Sequence, residues 1–501
     1  MSIVVKAVSG LALLACVALP THGADEGQTP VIDMQEMLDA STLDVQVIKD
    51  WHTVDGPVAT RQKIINISVG HVWAGQDYRI PVRMVVPADI KAQGFHLTGG
   101  HELRDFQRDM RVKGVDQVLI EGGVGLVHTM VQTLNQSDQA KLGKQMNDRF
   151  IKTLNPRYSI QYWGWPATLM RTITAAYAET EHFEKGKIAM SGGSKNGATP
   201  SAVLILDPRT TAVHATVSPI WDSPLRLCDE TAWEELAAFN QRYVDGITEY
   251  AGKGGPERLL RHPFLGGTFG PIYNRQALAA GHSWSDLQRI AGIMADNVFV
   301  TRNLKQLKAR DVDMYFHPGT HDFVNFDIAW GGKHHPQIPI YLQCNAGHGQ
   351  KPHPAGEKNQ ANKSAFLIGH FFDDAPGMLD APAVAHQRVG NRIEVTVSFL
   401  TGQSTESGRI WWTYDRGIDG SAAYLRDKFP DDQWADMKWD ETKKVWTAEI
   451  DLEEGVSHID FFSNHRKTII YKSVVYPTYI SCPYTRVQLE SLGARLSAVF
   501  R

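Results

Sequence analysis

Hydrophobic positions along the first two thirds of the chain fall into short β-like runs alternating with helical periods. Beyond about residue 386 they switch to a period of two. The early runs at residues 62–69 and 78–86 flank Gly75-Gln-Asp77 and end at Pro87, which predicts a hairpin. A strand at 94–97 runs into Thr98-Gly-Gly-His101, and the continuous apolar run at 123–131 has the character of a buried parallel strand. Residues 166–178 place Leu169, Ile173, Ala176 and Tyr177 on one helical face. Then come a strand at 187–190, a glycine-rich turn, an apolar helix at 198–206 and a strand at 212–218. This alternation predicts a doubly wound, mostly parallel sheet of the α/β class.

Between about 220 and 304 the pattern becomes helical and rich in Trp, Arg and Glu. An insertion of about 80 residues exceeds what joining two strands needs, so it reads as a helical cap. The sheet resumes with strands at 312–316 and 338–343, and a helix at 364–372 closes the domain. Further on, Ile393, Val395, Val397 and Phe399 alternate with polar residues, and Trp411, Trp446, Phe461 and Val474 sit in later short runs, as in a β-sandwich. The boundaries are 25–380 for the α/β domain, with 25–60 as a leader over it carrying a short helix at 34–43, and 386–501 for the sandwich.

Lys6 precedes an apolar run from Ala7 to Pro20, and Thr21-His-Gly-Ala24 offers a small-residue cleavage site, so residues 1–24 read as a secretory signal peptide. The run is shorter than the roughly 20 residues needed to span a bilayer. Cys16 offers an alternative lipoprotein cleavage site, although the chain stays apolar after it. The expected location is secreted or periplasmic. There Cys228, Cys344 and Cys482 permit one intramolecular disulfide at most. With 43% hydrophobic residues, 21% charged and a formal net charge of −4, the chain has no electrostatic case for nucleic acid or an anionic membrane.

The chemistry centres on Gly192-x-Ser194-x-x-Gly197. A strand-to-helix turn with a serine at its apex is the geometry of a nucleophile elbow, although Asn196 stands where the G-x-S-x-G pattern has its last glycine. Ser191, still on the strand, is the weaker nucleophile candidate. Later strand ends carry Asp322 and His348, giving the order Ser, Asp, His used by α/β-hydrolases. In such a triad the histidine moves the serine proton and the carboxylate fixes the tautomer. Asp222 and Asp327 are rival acids, and His317, His321, His334 and His335 are rival histidines. These histidines with Asp322 also allow a metal-site reading, though no H-E-x-x-H helix accompanies them. The backbone N–H of Lys195 and one from Gly99, Gly100 or His101, with Gly100 or His101 favoured, are candidates for an oxyanion hole. The Lys195 side chain is either solvated or a contact for an anionic substrate group. Tyr162, Trp163 and Trp165 are either core or pocket wall.

Met190-Ser-Gly-Gly-Ser-Lys-Asn-Gly197, followed by Asp207-Pro-Arg209, resembles the G-x-S-K-R-G and D-P-R run of the PhoPQ-activated pathogenicity-related proteins, which are secreted α/β-hydrolase-fold proteins. Gly319-Thr-His-Asp322 is similar to their G-T-x-D acid turn and Asn345-Ala-Gly-His348 to their histidine loop, over roughly residues 60–480. The resemblance implies the fold and the triad. Asn196 departs from the arginine of that family and is similar to the S-R-N-G of glucuronoyl esterases, which brings in a sugar-acid ester as substrate. The expected function is therefore an exported serine hydrolase, a carboxylic ester hydrolase working without cofactor or metal on a small-molecule, glycan or peptide ester. A serine peptidase on short peptides, or a non-catalytic binding protein on the same scaffold, are the alternatives.

Overall fold

The sheet that organises the molecule is assembled in an order quite different from its order in the chain. In the computed structural model, which describes residues 31–250, 254–261, 274–349 and 351–489, it contains β1 (Gln46–Val54), β2 (Thr60–Trp73), β3 (Gln76–Pro87), β4 (Ala92–Thr98), β5 (Gly125–Thr129), β6 (Phe183–Gly193), β7 (Ala212–Thr216) and β8 (Asp313–Phe316). Their spatial order is β1-β2-β3-β5-β4-β6-β7-β8. β1, β2, β3 and β5 pair antiparallel in turn, whereas β5, β4, β6, β7 and β8 run parallel. The leader assigned to residues 1–24 lies outside the described residues.

Local sequence accounts for these elements. Trp73 pairs with Gln76, so β2 and β3 are joined by a two-residue turn in which Gly75 takes a φ of 76°, a left-handed value that glycine adopts without strain. β5, antiparallel to β3 and parallel to β4, is buried at every position, as a central strand with both faces covered must be. Successive residues of β6 divide between the two faces. Ile188 and Met190 pack with Leu169 and Val203 of the helices Trp165–Ala178 and Lys195–Leu206, while Ala189 packs with Leu119 and Phe366 of Val115–Glu121 and Asn362–Phe371. Helices cover both sides, and the fold is α/β with a doubly wound, mostly parallel sheet.

Two expectations change. The segment expected to be a leader contains β1, an edge strand whose first five residues are all exposed. An edge strand over solvent carries no apolar face, so periodicity could not reveal it. The strand expected at 338–343 is reduced to two parallel bridges, Phe316 to Ile340 and Gly319 to Gln343. Its remaining backbone groups turn instead to the C-terminal region: the Ser481 N–H donates to the Ile340 carbonyl at 2.8 Å and the Leu342 N–H to Ser481 Oγ at 2.7 Å.

That C-terminal region is a β-sandwich of two antiparallel sheets. Ile393, Val395 and Val397 point into its core, and Trp411 is wholly buried. From Val31 onward the chain forms one compact unit, and Ile480 of the sandwich shares a hydrophobic cluster with Tyr315 and Tyr341 of the α/β part. Between 220 and 304 helices predominate, among them Glu230–Asp245, Asn274–Ala279 and Trp284–Val298. Cys228, Cys344 and Cys482 are buried free thiols rather than a disulfide pair and a remainder. Among the described residues no helix is long and apolar enough to cross a membrane.

Candidate active site

β6 ends at Gly193 and the next helix begins at Lys195, leaving Ser194 alone at the corner with φ 54° and ψ −129°. A serine in that region costs about 1–3 kcal/mol and persists only where its surroundings impose it. Here they do. A Cβ on Gly192 would stand 2.1 Å from the Asn196 carbonyl oxygen, and one on Gly197 would stand 2.6 Å from that of Gly192. The two glycines let strand and helix touch across the turn. The Ser194 N–H is tied to the Thr216 carbonyl of β7 at 3.4 Å. The G-x-S-x-G pattern fails at Asn196 because the glycine that the close approach requires lies one position later, at Gly197.

The turn brings Ser194 Oγ to 2.8 Å from His348 Nε2, and His348 Nδ1 stands 3.0 Å from Asp322 Oδ1. Asp322 is 1% exposed while His348 keeps a third of its side chain in the open, so the carboxylate is sheltered and the imidazole faces the cavity. The Val324 N–H also donates to Asp322 Oδ1, at 2.9 Å, which orients the carboxylate. Phe323 lies against the imidazole with 4.5 Å between ring centroids. Serine, carboxylate and histidine follow the carboxyl ends of parallel segments of one sheet, β6, β8 and the bridged segment at 340–343, with β7 between the first two.

The acid turn and the histidine loop are laced together. Thr320 N–H donates to the Gln343 carbonyl, His321 N–H to Ala346, and Asn345 N–H to Thr320 Oγ1. A Cβ on Gly319 would stand 2.1 Å from the Ala346 oxygen. Both are also held by the sandwich, a contact with no signal in the local sequence. Asn345 donates from Nδ2 to the Phe429 carbonyl at 2.7 Å and accepts from the Phe429 N–H at 2.8 Å. Arg416, 1% exposed, donates to the Thr320 carbonyl and to Tyr484 Oη at 2.8 Å each, and lies 3.7 Å from the centre of the Tyr424 ring.

The rival candidates are engaged elsewhere. Asp222 pairs with His335 Nε2 at 2.6 Å; burial works to raise its pKa, but the His335 hydrogen bond and charge bring it below the ordinary carboxylate value. Asp327 accepts both arms of Arg226 and the Ser223 hydroxyl, and none of that ion pair is exposed. His317 is buried against Tyr341, and burial lowers its pKa to about 4. His321 meets the Asp427 carbonyl at 2.6 Å, and His334 stacks on Trp330. Ser191 faces His96 Nε2 at 2.8 Å inside the sheet. Among the described residues no group of three His, Cys, Asp or Glu is placed to hold a metal.

Gly99-Gly100-His101 follows β4, the strand beside β6. Gly100 abuts the Asn196 side chain, 3.3 Å separating Nδ2 from where a Cβ would be. The His101 ring is turned toward Thr98 Oγ1 and stacks on His128, and burial lowers its pKa. Lys195 opens the helix, where the first N–H groups have no acceptor within the helix. A cavity of about 740 Å³ opens on Ser194 and His348, with Trp165 and Phe323 in its wall. Trp163 is wholly buried core, so the aromatic cluster divides between the two readings.

The sheet order and the strand-end relay define an α/β-hydrolase fold. No family model matches the chain, and neither does any curated protein. Among solved structures, the chain is similar to a glucuronoyl esterase from Teredinibacter turnerae at 11% identity and a TM-score of 0.33, over 59% of this chain and 66% of that one. Acetyl xylan esterase 1 from a Thermoanaerobacterium species matches at 12% identity and 0.34, over 64% and 88%. Lipase A from Candida antarctica matches at 11% and 0.27, over 60% and 77%.

Proposed function

We propose that this chain is an exported serine hydrolase that cleaves carboxylic esters through an acyl-enzyme on Ser194. The observation that carries the reading is the unbroken relay from Ser194 Oγ through both nitrogens of His348 to Asp322, at 2.8 and 3.0 Å. In this scheme His348 Nε2 takes the hydroxyl proton as Oγ bonds to the ester carbonyl carbon. The tetrahedral oxyanion is received by the Lys195 N–H and by an N–H of the loop at Gly100 and His101. Collapse breaks the bond to the alcohol oxygen, which leaves with the proton from His348; a water then repeats the sequence and frees the acid. Asp322 holds the imidazole with Nδ1 protonated. Export rests on the leader at residues 1–24, and kinship with the PhoPQ-activated pathogenicity-related proteins rests on the motif residues alone.

The test is a panel of activated esters with the purified protein. Ser194→Ala and His348→Ala are expected to lower kcat/KM by at least about 1,000-fold and to abolish labelling by a fluorophosphonate probe. Hydrolysis that survives Ser194→Ala unchanged sinks the proposal. Labelling without hydrolysis of any ester leaves the nucleophile and removes the substrate class.

A further inference from the structure

The cavity in front of Ser194 has a charge of one sign. Among the described residues that line it, Lys144 and Lys195 carry positive charge, Asn135, Asn147, Gln161 and Gln276 are carboxamides, and none is an Asp or Glu. The cations of neighbouring regions are treated differently. Lys63, 11% exposed, pairs with Glu179, and Arg209 pairs with the fully buried Asp207. Lys195 is half-buried one residue from the nucleophile, burial lowers its pKa, and among the described residues no carboxylate offsets that burial. A cation taken partly out of water without a counter-ion is a net cost to the fold. Retaining one in a cavity wall is accounted for when an anion arrives with the ligand.

We infer that the ester cleaved at this site carries a negative charge, a carboxylate or similar anion on its acyl or its alcohol portion, held by Lys195, with Lys144 in the wall of the same cavity. The carboxamides suit the neutral polar groups around such an anion, since each offers both donors and an acceptor. Asn135 already accepts from Trp165 Nε1 at 3.2 Å, which fixes one amide against an aromatic wall. A long aliphatic acyl chain would take Lys195 further out of water without supplying an anion. The inference rests on the ester hydrolase reading and narrows its substrate class.

The experiment compares matched pairs of esters on the full chain. On the acyl side, mono-4-nitrophenyl glutarate is set against 4-nitrophenyl pentanoate; on the alcohol side, 4-acetoxybenzoate against 4-acetoxybenzamide. In one of the two pairs the anionic ester is expected to be preferred in kcat/KM by about tenfold or more, the preference falling as salt is raised. Lys195→Met should lower that ratio about tenfold, Lys195→Arg should keep it, and Lys144→Met should lower it about threefold. Using the ratio, with rescue by arginine, separates charge recognition from a general loss of activity or folding. Preference for the neutral ester in both pairs, or a ratio that Lys195→Met does not move, overturns the inference while leaving the hydrolase intact. Absence of any Ser194-dependent hydrolysis overturns the hydrolase reading itself, and this inference with it.

Discussion

The proposed nucleophile and its two proposed partners are held by different parts of the molecule. Ser194 is fixed from within the α/β sheet, by strand, helix and two glycines within six residues of sequence. Asp322 and His348 stand on loops that lack a full strand at 338–343 and gain rigidity from outside, through Asn345 to Phe429 and Thr320 to Arg416. One side of the site is thus built by local chain geometry and the other by docking of a sandwich more than 80 residues away in sequence, the Asn345–Phe429 pair being 84 residues apart. Local geometry fails all at once, because the atoms that collide are backbone. Docked loops fail by degrees, because losing one hydrogen bond loosens them without blocking them.

The largest effect is therefore expected at the turn. In Gly192→Ala the new methyl group meets the Asn196 carbonyl at 2.1 Å, and neither backbone can yield without moving Ser194. Activity should fall by at least about 100-fold and stability by about 3 kcal/mol. Fluorophosphonate labelling and thermal melting check this, and a variant with normal activity would show that the turn is not under the stated constraint. On the other side, Asn345→Ala removes both bonds to Phe429 and leaves the 429 N–H and carbonyl without those partners. It also places alanine at φ 58°. Together these should cost about 2–3 kcal/mol, with kcat down about tenfold and KM little changed because the cavity wall is untouched. Asn345→Gly keeps the backbone conformation and loses only the bridge, so its kcat should fall equally while its stability falls less. Equal kcat for Asn345→Gly and the parent would mean that the sandwich supports the fold but not the relay.

Legibility in sequence follows the same division. The β6 turn announces itself because the strand, the glycines and the serine are contiguous, and Asp322 and His348 are visible as polar residues at the ends of apolar runs. The doubly wound sheet shows in the alternation of apolar runs for the same reason. β1 hides because an exposed edge strand needs no apolar face, and the strand before His348 misleads because its apolar residues are buried against the sandwich as much as in the sheet. The grip of Arg416 and Asn345 has no local signal at all: an arginine and an asparagine in loops acquire meaning only when long-range packing brings Thr320 and Phe429 to them. Lys195 was visible by position, but its lack of a counter-ion became apparent only in three dimensions.

Asn196→Gly tests the finer point of the comparison and should have the smallest effect. It restores the G-x-S-x-G spacing that the chain lacks, yet the close approach across the turn is already made by Gly192 and Gly197, whose backbone and Cβ positions exclude anything larger. Position 196 is free to carry a side chain, and here that side chain leans on Gly100 while its Oδ1 is buried without a partner. Removing it relieves an unsatisfied acceptor, worth about 1 kcal/mol, and lowers local helix propensity by roughly a few tenths of a kcal/mol, two terms of opposite sign. Stability should therefore change by less than about 1 kcal/mol, and kcat should fall about threefold as the loop at Gly100 loses its support. A tenfold or greater loss of kcat with unchanged stability would instead make Asn196 a positioning residue for the oxyanion loop, and the nucleophile side of the site would then depend on a tertiary contact as its partners do.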